Sequence, residues 1–409
     1  MPAPESGVAV LAGPGVLDDE RTAREILARA AAACGRAVDL RVAADLAELT
    51  AWARDRAGTS SRVLWPGPEV AVADLLGPPD PTDPAGGPDP VGRPAPGAGR
   101  LVRVDATLSA PDRDPRLARH VRGRGIAGLA AAVAALDVAE RSPAEVVNYG
   151  DHPDQRAELR LPPGASTRHP VPVLVLVHGG YWRPQWENDL MEPLALDALA
   201  RGWASWNLEY RRPHAVGEPD AGWAGTAADV AAGHAALARA VAAGAPIDPD
   251  RVVLVGHSAG GQLVTRLAAD LVRSGGPVPR LTVSLAGVLD LVVGHERGLG
   301  NGAVPLALGG PPAELPDVYR ESSPRHRLPL GAETVVVCGT RDDPDLLDVS
   351  RSWARAARAA GDRVHVVEEE ADHFDVIDPT SAVWAGVTGI IAEVVAEVVG
   401  RPAQGPGAP

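Results

Sequence analysis

Short apolar runs alternate along the chain with longer stretches in which apolar residues recur every three or four positions. That alternation predicts strands and amphipathic helices of a parallel α/β architecture. In the N-terminal region the pattern predicts strand Val8–Leu11, helix Arg21–Ala33, strand Val38–Val42, helix Leu46–Arg56 and strand Arg62–Trp65. Strand Leu101–Val104 and helix Ile126–Leu136 follow after a break. The break, Pro78–Arg100, is almost wholly Pro, Gly, Asp and Ala, a composition that cannot build a core and reads as a disordered loop. Arg401–Pro409 reads as a disordered tail of the same kind.

From Glu145 the alternation restarts on a larger scale. Expected strands are Ala157–Leu161, Val173–Val177, Trp203–Leu208, Val252–Val255, Leu281–Ala286, Thr334–Cys338 and Val364–Glu368. Expected helices are Ala224–Ala242, Gln262–Ala269 and Ala382–Val398. Apolar runs without alternation imply strands covered on both faces by helices. The chain thus divides into a small α/β domain over 7–136 and a larger one over 145–398, with the boundary near Leu136–Ala144.

A chain of 409 residues is long enough for two cores. The formal charge of −14 argues against nucleic acid or an anionic membrane surface as partner, since both call for basic patches. All 39 basic side chains are arginines, which removes Schiff-base and lysine-nucleophile chemistry. Cys34 and Cys338 lie far apart, so no disulfide framework or paired-cysteine metal site is expected, and a reducing cytoplasm is the expected compartment. Met1–Glu5 lacks a basic then apolar leader, and the apolar runs are strand-sized, so neither a secretion signal nor a membrane span is expected.

The chemistry concentrates in the larger domain. Val252–Val255 runs into Gly256-His257-Ser258-Ala259-Gly260, a strand–turn–helix with serine at its apex, the nucleophile-elbow pattern. Serine needs a base to take its proton and a third group to orient that base. Strand Thr334–Cys338 ends in Gly339-Thr340-Arg341-Asp342-Asp343, and strand Val364–Glu368 leads to Asp372-His373-Phe374-Asp375. Ser258, Asp342 and His373 therefore fall in the order nucleophile, acid, base, all at the carboxyl edge of one parallel sheet. Val173–Val177 runs into His178-Gly179-Gly180-Tyr181-Trp182, whose backbone near Gly179 and Gly180, with the amide of Ala259, would hold an oxyanion.

These motifs, with Tyr149-Gly150-Asp151-His152-Pro153, resemble the kynurenine formamidase and esterase branch of the α/β hydrolases over Glu145 to Val398. The resemblance implies hydrolysis of a small ester or of an N-formyl amide such as N-formylkynurenine, with no cofactor and no metal. A short-chain carboxylesterase is the alternative. The rival from another class is a non-catalytic binding or oligomerisation protein.

Several residues carry two readings. Asp343 competes with Asp342 for the role of the acid, and His365, within a strand, competes with His373. His178 and His257 are expected to hydrogen-bond around their turns rather than carry protons. Trp186, Trp203, Trp206 and Trp223 are expected to pack, whereas Tyr181 and Trp182 follow the oxyanion turn and are candidates for touching substrate. Glu368-Glu369-Glu370 reads as a solvated edge, since consecutive carboxylates alternate faces on a strand. Leu289–Leu330 is expected to form a lid-like insertion from which Tyr319, Ser322 or His326 touches substrate.

The small domain has a fainter resemblance, to type II dehydroquinate dehydratase with a flavodoxin-like fold. Val10–Gly15, Trp65-Pro66-Gly67, Val104–Ser109 and Gly123–Gly128 carry it. Trp65 and Thr107 stand where the resemblance calls for asparagine and histidine, and the tyrosine-bearing loop is missing, which implies a non-catalytic scaffold kept for homo-oligomerisation or for shielding the hydrolase site; the plain alternative is an unrelated α/β domain. Gly123–Gly128 does not follow an expected strand and is not read as a dinucleotide site.

Overall fold

The computed structural model describes residues 7–55, 61–78, 101–215 and 221–397. The expected loop from position 79 to 100 and the expected tail from 401 lie outside the described residues. The chain divides into two compact units that meet in sequence between Val146 and Val147.

The small unit is built from β1 (Val8–Ala12), α1 (Glu20–Cys34), β2 (Val38–Val42), α2 (Leu46–Arg54), β3 (Arg62–Trp65), α3 (Val72–Leu76), β4 (Leu101–Asp105), β5 (Leu117–Arg122) and α4 (Gly128–Arg141). Its five strands are all parallel in the order β2-β1-β3-β4-β5, the flavodoxin-like order. One core of β1, β3, β4 and β5 residues packs under α1 and α4, centred on Val10, Val63, Val102, Val104, Leu129 and Val133.

Strand β5 is absent from the sequence expectation because Arg119, His120 and Arg122 break its apolar pattern. Those side chains are buried all the same. His120 Nε2 donates to Asp105 Oδ2 (2.9 Å), Arg103 donates to Asp105 (3.0 Å) and Asp112 (2.7 Å), and Ser109 Oγ donates to Asp105 (2.6 Å). Gly123 consequently does follow a strand, which corrects the reading above. The turn still offers little to a pyrophosphate. Gly123 N is spent on Asp105 O and Thr107 O, and Gly125 N on Ala106 O.

The large unit follows with β6 (Glu145–Asn148), β7 (Arg156–Arg160), β8 (Val171–Val177), α5 (Glu192–Ala200), β9 (Ala204–Leu208), α6 (Gly222–Ala242), β10 (Ile247–His257), α7 (Ala259–Ser274) and β11 (Leu281–Leu285). Then come α8 (Leu291–Glu296), α9 (Leu299–Leu308), α10 (Pro316–Ser322), β12 (Thr334–Gly339), α11 (Pro344–Ala359), β13 (Val364–Glu369) and α12 (Ala382–Ala396). The sheet order is β13-β12-β11-β10-β8-β9-β7-β6, with β7 antiparallel to β9 and the strands from β9 to β13 parallel.

Strands β8, β11 and β12 and the second half of β10 are nearly continuous buried runs rich in Val and Leu, as expected for strands covered on both faces. Each such side chain contributes roughly 1.5–3 kcal/mol of burial. From β8 the chain steps out to β9 and then returns to β10 on the other side of β8. The order reverses between β8 and β10, the kind of switch point at whose carboxyl ends open α/β sheets bind ligands. Val177 pairs with Gly256 in register, so the turns that leave these two strands stand side by side.

Among the described residues no helix is long and apolar enough to cross a membrane.

Candidate active site

Ser258 caps the start of α7 with φ 54° and ψ −117°, a left-handed conformation that a residue with a Cβ adopts at a cost of about 1–3 kcal/mol. Glycine surroundings make the turn feasible. A Cβ on Gly256 would run into the backbone of Gly260, and one on Gly260 into the carbonyls of Val177 and His178. The Ser258 side chain is buried, and its Oγ has no hydrogen-bond partner among the described residues.

His373 and Asp342 come together. His373 Nδ1 donates to Asp342 Oδ2 at 2.8 Å, which leaves Nε2 turned away from the acid. Asp343 instead accepts from the Asp345 amide (2.9 Å) and so caps α11. His365 lies on β13 and bonds to Glu333 (2.7 Å). Asp372 accepts from the amides of Phe374 (2.8 Å) and Asp375 (2.9 Å), which stiffens the loop beside His373 and holds the Asp372 carboxyl below its ordinary value.

His373 also reaches the elbow through its backbone. The neighbouring His257 donates from Nε2 to His373 O at 3.0 Å, and the two rings lie 4.8 Å apart. Burial, with the facing His373, pushes the His257 pKa down to about 3, so this imidazole is neutral. The structure thus joins His373 to Asp342 and anchors His373 to the residue before Ser258. It shows no hydrogen bond from Ser258 to His373, a link that commonly tightens only when substrate binds.

The turn after β8 closes the other side. A Cβ on Gly179 would sit 2.8 Å from Ser258 Cβ and 2.6 Å from His257 O, so only glycine lets this backbone lie against the nucleophile. Gly180 has φ +102° and is roofed by the Trp186 ring. The Ala259 amide stands in the first turn of α7, where the helix offers it no acceptor. Of the three expected donors, Gly179 is thus placed directly against Ser258, and Ala259 follows the serine in the chain.

The substrate-contact candidates fare differently. Tyr181 is half-buried, and its ring covers Gly300 of α9. Trp182 is only 2% exposed and packs edge-on against Trp223 (5.6 Å), so it belongs to the core and offers no exposed wall. Tyr319 is 1% exposed and donates its hydroxyl to Gly310 O (3.0 Å), tying the insertion to itself. Ser322 Oγ accepts from Trp223 Nε1 (2.6 Å), and His326 is exposed on a short turn. The insertion forms α8 to α10, and Arg183 fastens the turn after β8 to it by donating to Gly300 O (2.6 Å).

Two features escaped the sequence reading. Phe374, the chain's one phenylalanine, is 54% exposed directly beside His373, with ring centroids 5.6 Å apart. Glu209, just past β9, is a fully buried carboxylate beneath His178. Only its position at a strand end, within Glu209-Tyr210-Arg211-Arg212, could have signalled it.

Residues 158–272 match the BD-FAE family model. No curated protein matches the chain. Among solved structures the chain is similar to esterase B from Lactobacillus rhamnosis, with TM-score 0.51 and 17% identity over 62% of this chain and 85% of that one. It is similar to a thermophilic esterase from the planctomycete Thermogutta terrifontis, with TM-score 0.49 and 21% identity over 64% and 95%. A bacterial heroin esterase aligns with TM-score 0.48 and 22% identity over 59% and 78%. The family match and the likeness of fold mark an α/β-hydrolase segment within the large unit.

Proposed function

We propose that the protein is a serine hydrolase that cleaves a small ester or an N-formyl amide, of the arylformamidase kind, through an acyl-enzyme. One observation carries this reading: a buried, unpartnered Ser258 hydroxyl on a strained elbow stands beside a His373–Asp342 pair. His373 Nε2 takes the Ser258 proton as Oγ bonds to the substrate carbonyl carbon. The carbonyl oxygen becomes an oxyanion held by amides of the Gly179–Gly180 turn and Ala259. Collapse breaks the bond to the leaving group, which departs with the proton from His373. Water, deprotonated by His373, then adds to the acyl carbon, and the acid leaves as Ser258 regains its proton. Asp342 orients the ring throughout and stabilises its charged form.

The test is labelling by a fluorophosphonate probe. A stoichiometric adduct on Ser258, lost in Ser258→Ala, is expected; an unlabelled Ser258 would favour a binding protein instead. The relative kcat/KM for N-formylkynurenine and p-nitrophenyl acetate then separates the formamidase reading from a short-chain carboxylesterase, the reading that the likeness to esterase B favours.

For the small unit we infer a non-catalytic scaffold that holds copies of the chain together. Its Trp65 is buried, and the inward side chains at its strand ends bond to one another. Sedimentation of the whole chain against one lacking residues 7–136 checks this: an unchanged oligomeric state would sink it.

A further inference from the structure

Glu209 sits in the least favourable place for a carboxylate. It is fully buried, and burying an ion costs several kcal/mol unless partners repay it. The partners are present. Arg212 donates to Glu209 Oε1 and, at 3.0 Å, to Asp154, while Asn188 N donates to Oε2 (2.8 Å) and Tyr210 N to Oε1 (3.0 Å). Burial alone would push the Glu209 carboxyl up; the Arg212 guanidinium and the His178 ring outweigh it and hold the group well below the ordinary carboxylate range.

The remaining partner gives the knot a use. His178 Nε2 lies 3.2 Å from Glu209 Oε1, and His178 Nδ1 lies 2.9 Å from Gly179 O. Tyr210 stacks on the His178 ring at 4.4 Å and donates its hydroxyl to His178 O at 2.9 Å. Tyr149, from the motif ahead of β7, donates its hydroxyl to Glu209 O at 2.6 Å. A continuous path thus runs from Glu209 through the His178 ring to the Gly179 peptide, which lies against Ser258 Cβ.

We infer that Glu209 is a positioning residue for the oxyanion turn: it clamps His178 from below, so that the Gly179–Gly180 peptide keeps its donors aimed at the developing oxyanion. The inference rests on the hydrolase reading above. A mere packing role would lower stability and leave the ratio of transition-state to ground-state binding alone. A positioning role changes that ratio, because donors aimed slightly off still admit the substrate but hold its oxyanion poorly.

The experiment compares wild type, Glu209→Gln and Tyr210→Phe in the full chain. It measures kcat and KM on p-nitrophenyl acetate, inhibition by an arylboronic acid that forms a tetrahedral adduct with serine, and inhibition by a non-hydrolysable ketone-free ether analogue. For Glu209→Gln the expected results are a kcat lower by about a hundredfold, a boronate affinity lower by a similar factor, and KM and ether affinity within threefold of wild type. Tyr210→Phe keeps the ring and loses only the hydroxyl on His178 O; it should show the same split at about tenfold and serves where the first variant does not fold. A folded variant with unchanged kcat, or one that loses ether and boronate affinity equally, overturns the inference. Fluorophosphonate labelling of wild-type Ser258 keeps the two readings apart. No adduct sinks both, whereas an adduct with no boronate-specific loss sinks only the role of Glu209.

Discussion

Both units bury a knot of charge at the carboxyl ends of parallel strands, yet they put it to different ends. In the small unit Arg103, Asp105, Asp112 and His120 bond to one another, with only Arg103 Nε and Asp105 Oδ1 of the Arg103–Asp105 pair left over, and Ser109 spends its hydroxyl on Asp105. In the large unit Glu209, Arg212 and Asp154 form a comparable knot, but it lies beneath a turn whose backbone lies against Ser258. The Ser258 hydroxyl is left without a partner. Buried charge by itself therefore marks only a demand for mutual satisfaction. The signs of chemistry are the unspent hydroxyl, the strained backbone that presents it and an oriented base alongside.

The widest gap between the two knots should be in turnover. Ser258→Ala is expected to lower kcat by roughly a millionfold, while Ser109→Ala leaves it within twofold; equal effects would erase the distinction. Next in size is the pair of neighbouring acids. Asp342→Asn should cost about ten-thousandfold in kcat because the His373 ring loses its orienting partner, whereas Asp343→Ala, which removes a helix cap, should cost little activity and about 1 kcal/mol of stability. Kinetics of the two variants, side by side, decide between them.

Acid should weaken both units through their buried neutral histidines. His257 is held near 3, against about 6.5 unfolded, so the folded state binds fewer protons between those values. Its contribution is complete above pH 6.5 and is lost as pH falls towards 3, by up to about 1.4 kcal/mol per pH unit. His120 is likewise lowered, by burial, and acts with the same sign. The carboxyls of Asp105, Asp112 and Glu209 stand below their ordinary values, so their contributions persist until pH falls beneath the ordinary carboxylate range. Urea unfolding at pH 7 and pH 5 should show a flatter pH dependence of the large unit in His257→Gln and of the small unit in His120→Gln. An unchanged slope in either would refute neutral burial there.

The smallest expected effect concerns Phe374, which flanks the ring proposed to hand a proton to the leaving group. Phe374→Ala should lower the preference for phenyl acetate over hexafluoroisopropyl acetate by about tenfold, since only the former offers a flat ring to stack. Equal losses on both esters would remove Phe374 from leaving-group recognition.

Much of this architecture could be read from the chain. The apolar runs announced β8, β10, β11 and β12 because strands covered on both faces need no polar alternation. Gly256, Gly260 and Gly179 stood where backbones must nearly touch, so the elbow and the turn beside it were visible as glycine patterns. Strand β5 was hidden by Arg119, His120 and Arg122, whose burial depends on the distant Asp105 and its neighbours. That Trp182 packs edge-on against Trp223 could not be read from the chain, because an aromatic after a glycine turn looks the same in sequence whichever way it points.

Local composition and periodicity thus determined the alternation of strands and helices, the sharp turns and the residue types at their tips, since these follow from backbone sterics and from the burial of nearby apolar side chains. Tertiary structure decided which acid bonds to His373, which aromatic stays exposed beside it, and that Glu209 lies beneath the turn of His178. Those outcomes depend on groups far apart in the chain meeting at one sheet edge with their hydrogen bonds satisfied, and no stretch of sequence carries that condition alone.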